Sequence, residues 1–329
     1  MNVLLTGAFG NIGQSALHEL VEQGHTVRCF DLKTGVNEGI ASRLSVRYGD
    51  QMQIAWGDLR RPADTASAVR DQDVIVHMAF IIPKMSATGI ESESQPELAR
   101  AVNVGGTRSL LDAARAASRP LRFLSSYHVY GLTQHLPPPR MVSDPVQPVE
   151  HYARHKVECE QMTRESGLEW GIFRLCAALP LALRLNPGMF DVPLDNRMEF
   201  VHTRDAGLAI ANGVSHPAIW GRILHIGGGP RCQYIFREIV SRVLGAVGVG
   251  MLPEQAFNTA PFATDWVDTT ESQALLRYQT RDLGDYVRDM QALMEFRLRL
   301  ARIARGLARR WLLRQSPYYH PASALGALV

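Results

Sequence analysis

A glycine-rich turn near the start of the chain constrains the fold more than any other feature. Gly7, Gly10 and Gly13 follow one another at intervals of three. A short apolar strand, predicted over residues 2–5, leads into the turn, and an amphipathic helix, predicted over residues 14–22, leads out of it. This order lets the backbone approach a pyrophosphate and directs free N–H groups toward it. The turn therefore predicts dinucleotide binding.

An acid follows the second predicted strand at the spacing expected of a dinucleotide site. The strand covers residues 26–30 and ends in Asp31, where a carboxylate accepts hydrogen bonds from an adenine-ribose diol. The same carboxylate repels a 2′-phosphate, so the pattern favours NAD over NADP. Arg28 and Lys33 lie close in sequence and leave NADP as the alternative.

Composition indicates a globular protein and excludes several classes. The chain has 329 residues, of which 46% are apolar and 20% charged, enough for a large α/β core. Its net charge of +3 is too small to indicate nucleic-acid binding. The sequence shows no leader pattern, no apolar run of membrane-spanning length and no Cys-x-x-Cys pair, so we expect a cytoplasmic protein with reduced thiols. Its clustered histidines lack metal-ligand spacing, and no metal site is expected.

Predicted strands and helices alternate along the chain. Further strands are predicted at residues 51–56, 73–78, 121–125, 169–175 and 222–226. The alternation predicts an α/β fold with a Rossmann-type doubly wound parallel sheet. We place a dinucleotide-binding domain at residues 1–178, with returns at about 203–228, and a smaller, interleaved substrate lobe at residues 179–329.

Two segments between the strands carry weaker patterns. The residues after Asp31 are interpreted as a glycine-containing connection. A long helix is predicted over residues 95–117, with Gly105 and Gly106 in its interior. Glycine is unfavourable inside a helix, so this pair predicts a close approach to another backbone.

Tyr152 and Lys156 form the strongest catalytic pattern. Both fall in a helix predicted from about Val149 to Ser166, and their spacing places them on one face, one turn apart. A nearby ammonium favours phenolate, so we expect Lys156 to lower the pKa of Tyr152 toward the range of an acid or base. Ser126, at the end of the fifth strand, would bind the same substrate oxygen. The three residues predict hydride transfer at a hydroxyl or carbonyl carbon.

These motifs together resemble the extended short-chain dehydrogenases/reductases of the NAD-dependent epimerase/dehydratase family. The matching pieces are Thr6-Gly7-x-x-Gly10-x-x-Gly13, Asp31, Gly57-Asp58-Leu59, His77-x-Ala79, Asn103-Val104-x-Gly106-Thr107, Ser125-Ser126-x-x-Val129-Tyr130-Gly131, Tyr152-x-x-x-Lys156, Arg174, Pro180 and Val201-His202-x-x-Asp205. The resemblance implies that Tyr152 is the acid/base, that Lys156 also binds the nicotinamide ribose and that Ser126 positions the reacting oxygen. It also implies a homodimer formed by the long helices around Asn103 and Tyr152.

The turn and the resemblance together assign a set of NAD-binding residues at the ends of the strands. They are Gly7, Phe9, Gly10, Asn11, Ile12, Gly13, Asp31, Asp58, Leu59, Met78, Ala79, Asn103, Tyr152, Lys156 and Pro180. Within this set the resemblance places Asp58 and Leu59 against the adenine and Asn103 on the cofactor side of the site.

The substrate site departs from the family pattern. Tyr127 and His128 replace small residues, which narrows the mouth of the pocket or adds hydrogen-bonding groups. The segment between Pro180 and His202 is short compared with the nucleotide-sugar enzymes, which argues against a complete UDP-sugar site. The order Ser-Ser-x-His also resembles uronate dehydrogenases. The substrate candidates are Ser125, Tyr127, His128, Arg174 and Arg184, with either arginine facing a carboxylate or serving only structure or solvent.

The C-terminal region predicts a basic amphipathic helix over about residues 285–314. Its apolar stripe packs on the protein itself or on a partner subunit, or the helix lies on an anionic membrane. Overall, the sequence predicts an NAD-dependent enzyme acting on a sugar-like or other polar small substrate. The alternatives are an NAD-binding sensor or scaffold without turnover and a membrane-associated steroid or lipid dehydrogenase.

Overall fold

The main sheet is a seven-stranded parallel sheet with the strand order β3-β2-β1-β4-β5-β6-β8. The computed structural model describes residues 1–84, 89–181, 187–303 and 305–320. The strands are β1 Asn2–Thr6, β2 Thr26–Asp31, β3 Met52–Trp56, β4 Val74–His77, β5 Leu121–Ser126, β6 Trp170–Leu175, β7 Arg197–Glu199, β8 Arg222–Ile226 and β9 Gln233–Ile235. The strand order reverses between β1 and β4, which places a ligand crevice at their carboxyl ends. The predicted Rossmann-type sheet is confirmed.

Helices cover both faces of this sheet. They are α1 Asn11–Glu22, α2 Gly35–Tyr48, α3 Pro62–Val69, α4 Pro96–Arg100, α5 Gly106–Ala116, α6 His151–Arg164, α7 Thr203–Val214, α8 Phe236–Ala246, α9 Thr270–Leu276, α10 Leu283–Ile303 and α11 Arg305–Gln315. Neighbouring strand residues point to opposite faces. Leu5 lies in the core cluster that includes α1, α2 and α7, and Leu4 lies in the cluster of α3, α5 and α6. The strands are therefore buried on both sides.

Helix α2 occupies the segment that the sequence predicts as a connection. Its N-cap is Thr34, whose hydroxyl accepts a hydrogen bond from the backbone N–H of Asn37 at 3.2 Å. Ala41, Leu44 and Tyr48 bury one face of the helix in the core. The cap and this apolar face stabilise the helix despite its two glycines. The prediction of a connection was wrong because the glycines masked this pattern.

The predicted helix over residues 95–117 is interrupted by a π-helical turn. The turn, Ala101–Gly105, separates α4 from α5, a feature that often marks functional positions. At Gly106 a Cβ atom would lie 2.7 Å from Cβ of Leu59, so a close approach does occur, against a side chain. Gly105 faces open space, and the prediction of a close approach was wrong for this residue.

A third core cluster lies in the C-terminal part of the chain. Strands β7 and β9 pair antiparallel, and a separate apolar cluster combines residues of α8, α10 and α11. The segment predicted as one helix over about residues 285–314 contains two helices, α10 and α11, with residue 304 outside the described part. Among the helices that the structure describes, none is both long and apolar enough to cross a membrane.

Candidate active site

The glycine turn folds tightly enough to exclude side chains. Gly7 has a φ of +70°, a conformation that favours glycine, and its N–H donates to the carbonyl oxygen of Phe30 at 3.0 Å. A Cβ atom on Gly13 would lie 2.1 Å from the carbonyl oxygen of Gly7. Helix α1 begins directly after Gly10 and has no acid in its first turn. The turn thus leaves the positive end of α1 open toward an anion.

Asp31 lies beside this turn at the end of β2. Its carboxylate accepts hydrogen bonds from the N–H groups of Phe9 and Leu32, at 3.1 and 2.9 Å, and from the Asn37 amide at 3.2 Å. Burial raises the pKa of Asp31, against the lowering effect of these three donors. These donors therefore fix the carboxylate beside the glycine turn. Asn37 was missed from the sequence because it lies on the unpredicted helix α2.

Thr6 and His77 fix the end of β4. The Thr6 hydroxyl accepts from the N–H groups of Met78 and Ala79 at 3.1 and 3.2 Å and so donates to Nδ1 of His77, at 2.8 Å. The other ring nitrogen, Nε2, then donates to the Thr107 hydroxyl at 3.0 Å. Burial lowers the pKa of His77 to about 3, so the ring is neutral, as this chain of bonds requires. The chain of bonds holds the backbone of the cofactor rim in place.

Asn103, in the π-helical turn, fixes the loop that follows this rim. Its amide oxygen accepts from the N–H of Ile81 at 2.6 Å, and its amide nitrogen donates to the Ile81 carbonyl oxygen at 3.0 Å. Asn103 is fully buried. The residue therefore determines where the chain runs next to the predicted cofactor.

The remaining predicted cofactor residues lie around the same rim. The Asp58 carboxylate is held by Arg60, whose Nε lies 3.0 Å from each oxygen, and the pKa of Asp58 is lowered chiefly by these bonds. Leu59 is buried under α5. The Asn11 amide donates to the carbonyl oxygen of Ala178 at 3.3 Å, and the Pro180 carbonyl oxygen accepts from Tyr286 at 3.0 Å. The bond from Tyr286 connects the rim to the C-terminal lobe.

The structure brings the three predicted catalytic residues together. Ser126 ends β5 and Tyr152 lies in the first turn of α6, and the side chain of Ser126 is near enough to the phenol to lower its pKa. The Lys156 ammonium donates to the Leu124 carbonyl oxygen at 2.5 Å and lies 3.5 Å above the Phe80 ring. Burial lowers the pKa of Lys156 to about 7. A hydroxyl pair thus lies beside a buried amine.

The expected effect of Lys156 on Tyr152 was wrong in direction. Burial raises the pKa of Tyr152 to about 12, against a smaller lowering by the hydrogen bond from Ser126. The Lys156 nitrogen lies 5.7 Å from the centroid of the Tyr152 ring and is directed to a backbone carbonyl instead. Desolvation of the phenolate therefore outweighs its attraction to the ammonium.

His128 lies next to Tyr152, the predicted acid/base. Its ring contacts Tyr152 edge-on, with centroids 6.0 Å apart, and contacts Phe262 of the C-terminal lobe in the same way at 5.7 Å. Nδ1 of His128 is 3.0 Å from a carboxylate oxygen of Glu150, the N-cap residue of α6. Glu150 was missed from the sequence because this contact joins two separate segments. The pair places a polar group beside the reacting oxygens.

Three other predicted substrate residues lie in structural positions. Tyr127 is buried in the core of the main sheet and does not form the mouth of the pocket, so that expectation was wrong. Arg174 pairs through two nitrogens with Glu160, at 2.7 and 3.0 Å, and Ser125 donates to the same carboxylate at 2.6 Å. Arg174 and Ser125 thus belong to a buried network behind the site, in which Glu160 takes the place of the expected substrate carboxylate. Arg184 lies outside the described residues.

Comparison with known proteins gives the family. A model of the NAD dependent epimerase/dehydratase family matches residues 3–181, more than half of the chain. The UDP-glucose 4-epimerase of Streptomyces lividans is 32% identical over 161 residues, 48% of this chain and 45% of that protein. The 3 beta-hydroxysteroid dehydrogenase/Delta 5→4-isomerase of Mycobacterium tuberculosis is 33% identical over 115 residues, 35% of this chain and 28% of that protein. Each of these two alignments thus spans less than half of the relative.

Solved structures agree in fold over most of the chain. UDP-glucose-4-epimerase from Stenotrophomonas maltophila with bound NAD and formylated UDP-arabinopyranose superposes with a TM-score of 0.75 at 22% identity, covering 92% of this chain and 100% of that one. A short-chain dehydrogenase/reductase superfamily protein from Agrobacterium tumefaciens with bound NAD gives 0.72 at 19% identity, covering 94% and 100%. These structures share the fold, and the family model shows that this chain belongs to the NAD dependent epimerase/dehydratase family.

Proposed function

We propose that the protein transfers hydride between NAD and a hydroxyl or carbonyl carbon of a polar, sugar-like small molecule. Ser126, Tyr152 and Lys156 carry the proton chemistry. The observation that supports this most strongly is the grouping of the Ser126 and Tyr152 hydroxyl side chains beside the buried amine of Lys156. An NAD-binding sensor without turnover would not require these three groups to be grouped in this way.

The residues of the rim fit NAD. The turn at Gly7 and Gly13 has no room for side chains, as a backbone that approaches a pyrophosphate requires, and Asp31 is oriented for a ribose diol. Lys33 lies 3.5 Å from Glu38, and Arg28 donates to the carbonyl oxygens of Ala68 and Arg70 at 3.0 and 2.6 Å. These contacts of the two nearby cations support NAD over NADP. When bound, the nicotinamide supplies the hydride acceptor or donor.

Tyr152 moves the proton. With a pKa of about 12 the phenol keeps its proton at neutral pH, which suits it to protonate a carbonyl oxygen during reduction. In the oxidative direction the phenolate takes the hydroxyl proton, and Ser126 is the neighbour that lowers the pKa of the phenol and so favours this form. The Ser126 hydroxyl orients the substrate oxygen by a second hydrogen bond.

His128 gives the substrate side of the site its polarity. Glu150 holds Nδ1, which leaves Nε2 as the ring nitrogen for a substrate hydroxyl or carboxylate. Phe262 contacts the same ring from the C-terminal lobe. An oriented imidazole beside Tyr152 suits a substrate with a second polar group, such as a sugar or a sugar acid. The residues between Pro180 and His202 are few for a complete nucleotide site, which favours a small substrate.

A steroid or lipid alcohol is the second candidate substrate. The observation that favours it is the 33% identity to the mycobacterial 3 beta-hydroxysteroid dehydrogenase/Delta 5→4-isomerase over 115 residues. Such a substrate offers one hydroxyl, at the reacting carbon. In that case His128 would lie near this hydroxyl and would recognise no second polar group.

A substrate panel tests the proposal. Purified full-length protein is assayed with NAD and with NADP against uronic acids, nucleotide sugars and 3-hydroxysteroids, with formation of reduced nicotinamide and interconversion of epimers as readouts. We expect turnover of a free sugar or sugar acid with NAD.

A cofactor variant tests the preference for NAD. Asp31→Asn should shift the ratio of NAD to NADP binding by at least about tenfold, whereas the distant Asp50→Asn should not. Turnover confined to steroids, a preference for NADP, or no turnover in any class would contradict the proposal.

A further inference from the structure

Helix α11 presents an apolar and basic face to solvent. Leu307, Arg310, Trp311 and Arg314 recur at intervals of three and four and so lie on one side of the helix. All four side chains are exposed, Leu307 by 72% and Trp311 by 52%. Leu307 and Trp311 lie one helical turn apart, so they form an apolar patch flanked by arginines and are not singly exposed side chains.

The opposite face of α11 is firmly attached to the protein. Leu312 is buried in the C-terminal core cluster. Arg309 donates to the backbone carbonyl oxygens of Val249 and Met251 at 2.9 and 2.7 Å, and the Ser316 hydroxyl donates to that of Ala256 at 2.6 Å. These bonds fix the rotation of the helix about its axis. The outward direction of Trp311 is therefore set by the fold.

The charge of this region has one sign. Residues 296–329 contain seven arginines and neither aspartate nor glutamate. Arg310 and Arg314 form no ion pair with any carboxylate in the described part of the chain. A second copy placed against this face would bring unpaired arginines together, which is repulsive. An anionic surface is the complementary partner.

We propose that the outer face of α11, formed by Leu307, Arg310, Trp311 and Arg314, lies on anionic lipid membranes. The two arginines contact lipid phosphates, and the leucine and the tryptophan insert at the level between headgroups and acyl chains. The helix lies in the plane of the membrane and does not cross it. This attachment is independent of the substrate that the active site uses.

Co-sedimentation with vesicles tests the proposal. Full-length protein is mixed with vesicles of phosphatidylcholine alone or with phosphatidylglycerol, at low and high salt. We expect binding to the phosphatidylglycerol vesicles, weakened by salt, and a blue shift of tryptophan emission that Trp311→Phe removes. Arg310→Gln/Arg314→Gln should reduce partitioning by about 30-fold, since each basic residue contributes about a fivefold effect at an anionic surface.

Matched variants distinguish a specific effect of the α11 face on vesicle binding from the effect of removing any exposed arginine or apolar side chain. Arg47→Gln/Arg164→Gln removes two exposed arginines elsewhere, and Val46→Ser removes an apolar side chain that is 89% exposed on α2; both should bind vesicles like the unmodified protein. Leu307→Ser/Trp311→Ser should reduce binding by at least about tenfold without altering thermal stability. The proposal is overturned by absence of vesicle binding, by equal loss in the control variants, or by a change of oligomeric state in the α11 variants in place of a change in vesicle binding.

Discussion

The ammonium of Lys156 donates its hydrogen bond to the carbonyl oxygen of Leu124, at 2.5 Å. Leu124 lies in β5 two positions before Ser126, and Lys156 lies one helical turn after Tyr152 in α6. This bond therefore ties the catalytic helix to the strand that carries the serine. The position of Tyr152 depends on this attachment, because the amine is directed to the strand and not to the phenol.

The buried amine predicts an unusual dependence of stability on pH. The pKa of Lys156 is 10.5 in the unfolded chain and about 7 in the folded one. Between these values the unfolded chain binds more protons, so the free energy of unfolding rises with pH. Relative to Lys156→Met, the unmodified protein should gain about 2 kcal/mol between pH 7.5 and 9.5. Urea unfolding at both pH values measures this, and a constant difference between the two proteins would contradict it.

The glycine turn predicts opposite effects of two Gly→Ala substitutions. A Cβ on Gly13 would overlap backbone oxygen atoms of Gly7 and Ala8, at 2.1 and 2.6 Å, so Gly13→Ala must open the turn. We expect at least about tenfold weaker NAD binding and a loss of about 1–3 kcal/mol in stability. Gly39 in α2 faces open space, and Gly39→Ala should stabilise by about 0.5–1 kcal/mol. Calorimetry and thermal unfolding check both, and unimpaired NAD binding by Gly13→Ala would refute the assignment of the turn.

The buried pair of Arg174 and Glu160 supports the sheet behind the site. Both side chains are nearly inaccessible, so Glu160→Gln leaves a buried guanidinium without its counter-charge. Breaking such a pair costs about 3–5 kcal/mol of unfolding free energy. The exposed pair of Arg237 and Glu254 is a control, and Glu254→Gln should have no measurable effect. If Glu160→Gln instead folds stably and loses only substrate affinity, Arg174 is a substrate ligand as the sequence suggested.

The position of His128 predicts a separation of binding from chemistry. If its imidazole contacts the substrate away from the reacting carbon, His128→Gln raises KM by at least about tenfold and changes kcat much less. Glu150→Gln should act in the same direction more weakly, because it only orients the ring. His135→Gln, at an exposed position, serves as the control. Steady-state kinetics on the substrate found by the panel measures the split, and an unchanged KM would remove His128 from the substrate site.

The sequence was sufficient for the sheet and for the grouping of the three predicted catalytic residues, because both depend on local patterns. Gly7, Gly10 and Gly13 act within one turn, and Tyr152 and Lys156 share one helix face. That Ser126 lies near Tyr152 also followed, since the end of a parallel strand and the start of a following helix lie at the same edge of the sheet. These features could be predicted because the residues that are neighbours in the sequence pattern are also neighbours in the structure.

The features that were missed depend on contacts between distant segments. The hydrogen bonds of Asn103 to Ile81 and of His128 to Glu150 do not appear as a periodic pattern in the sequence. The carboxylate that meets Arg174 comes from α6, which spacing alone does not reveal. The pKa of Tyr152 depends on how completely the phenol is buried, and burial opposes the charge effect that the sequence suggests.

The most direct test of the proposed function is the turnover of Tyr152→Phe on the substrate found by the panel. Loss of the phenol oxygen removes the proton donor and acceptor, so kcat should fall by about 100- to 10,000-fold. Binding of NAD should stay within about threefold, and Tyr234→Phe, outside the site, should match the unmodified protein. Turnover of Tyr152→Phe at the unmodified rate would contradict the assignment of Tyr152 as the acid/base, and with it the mechanism proposed for this site.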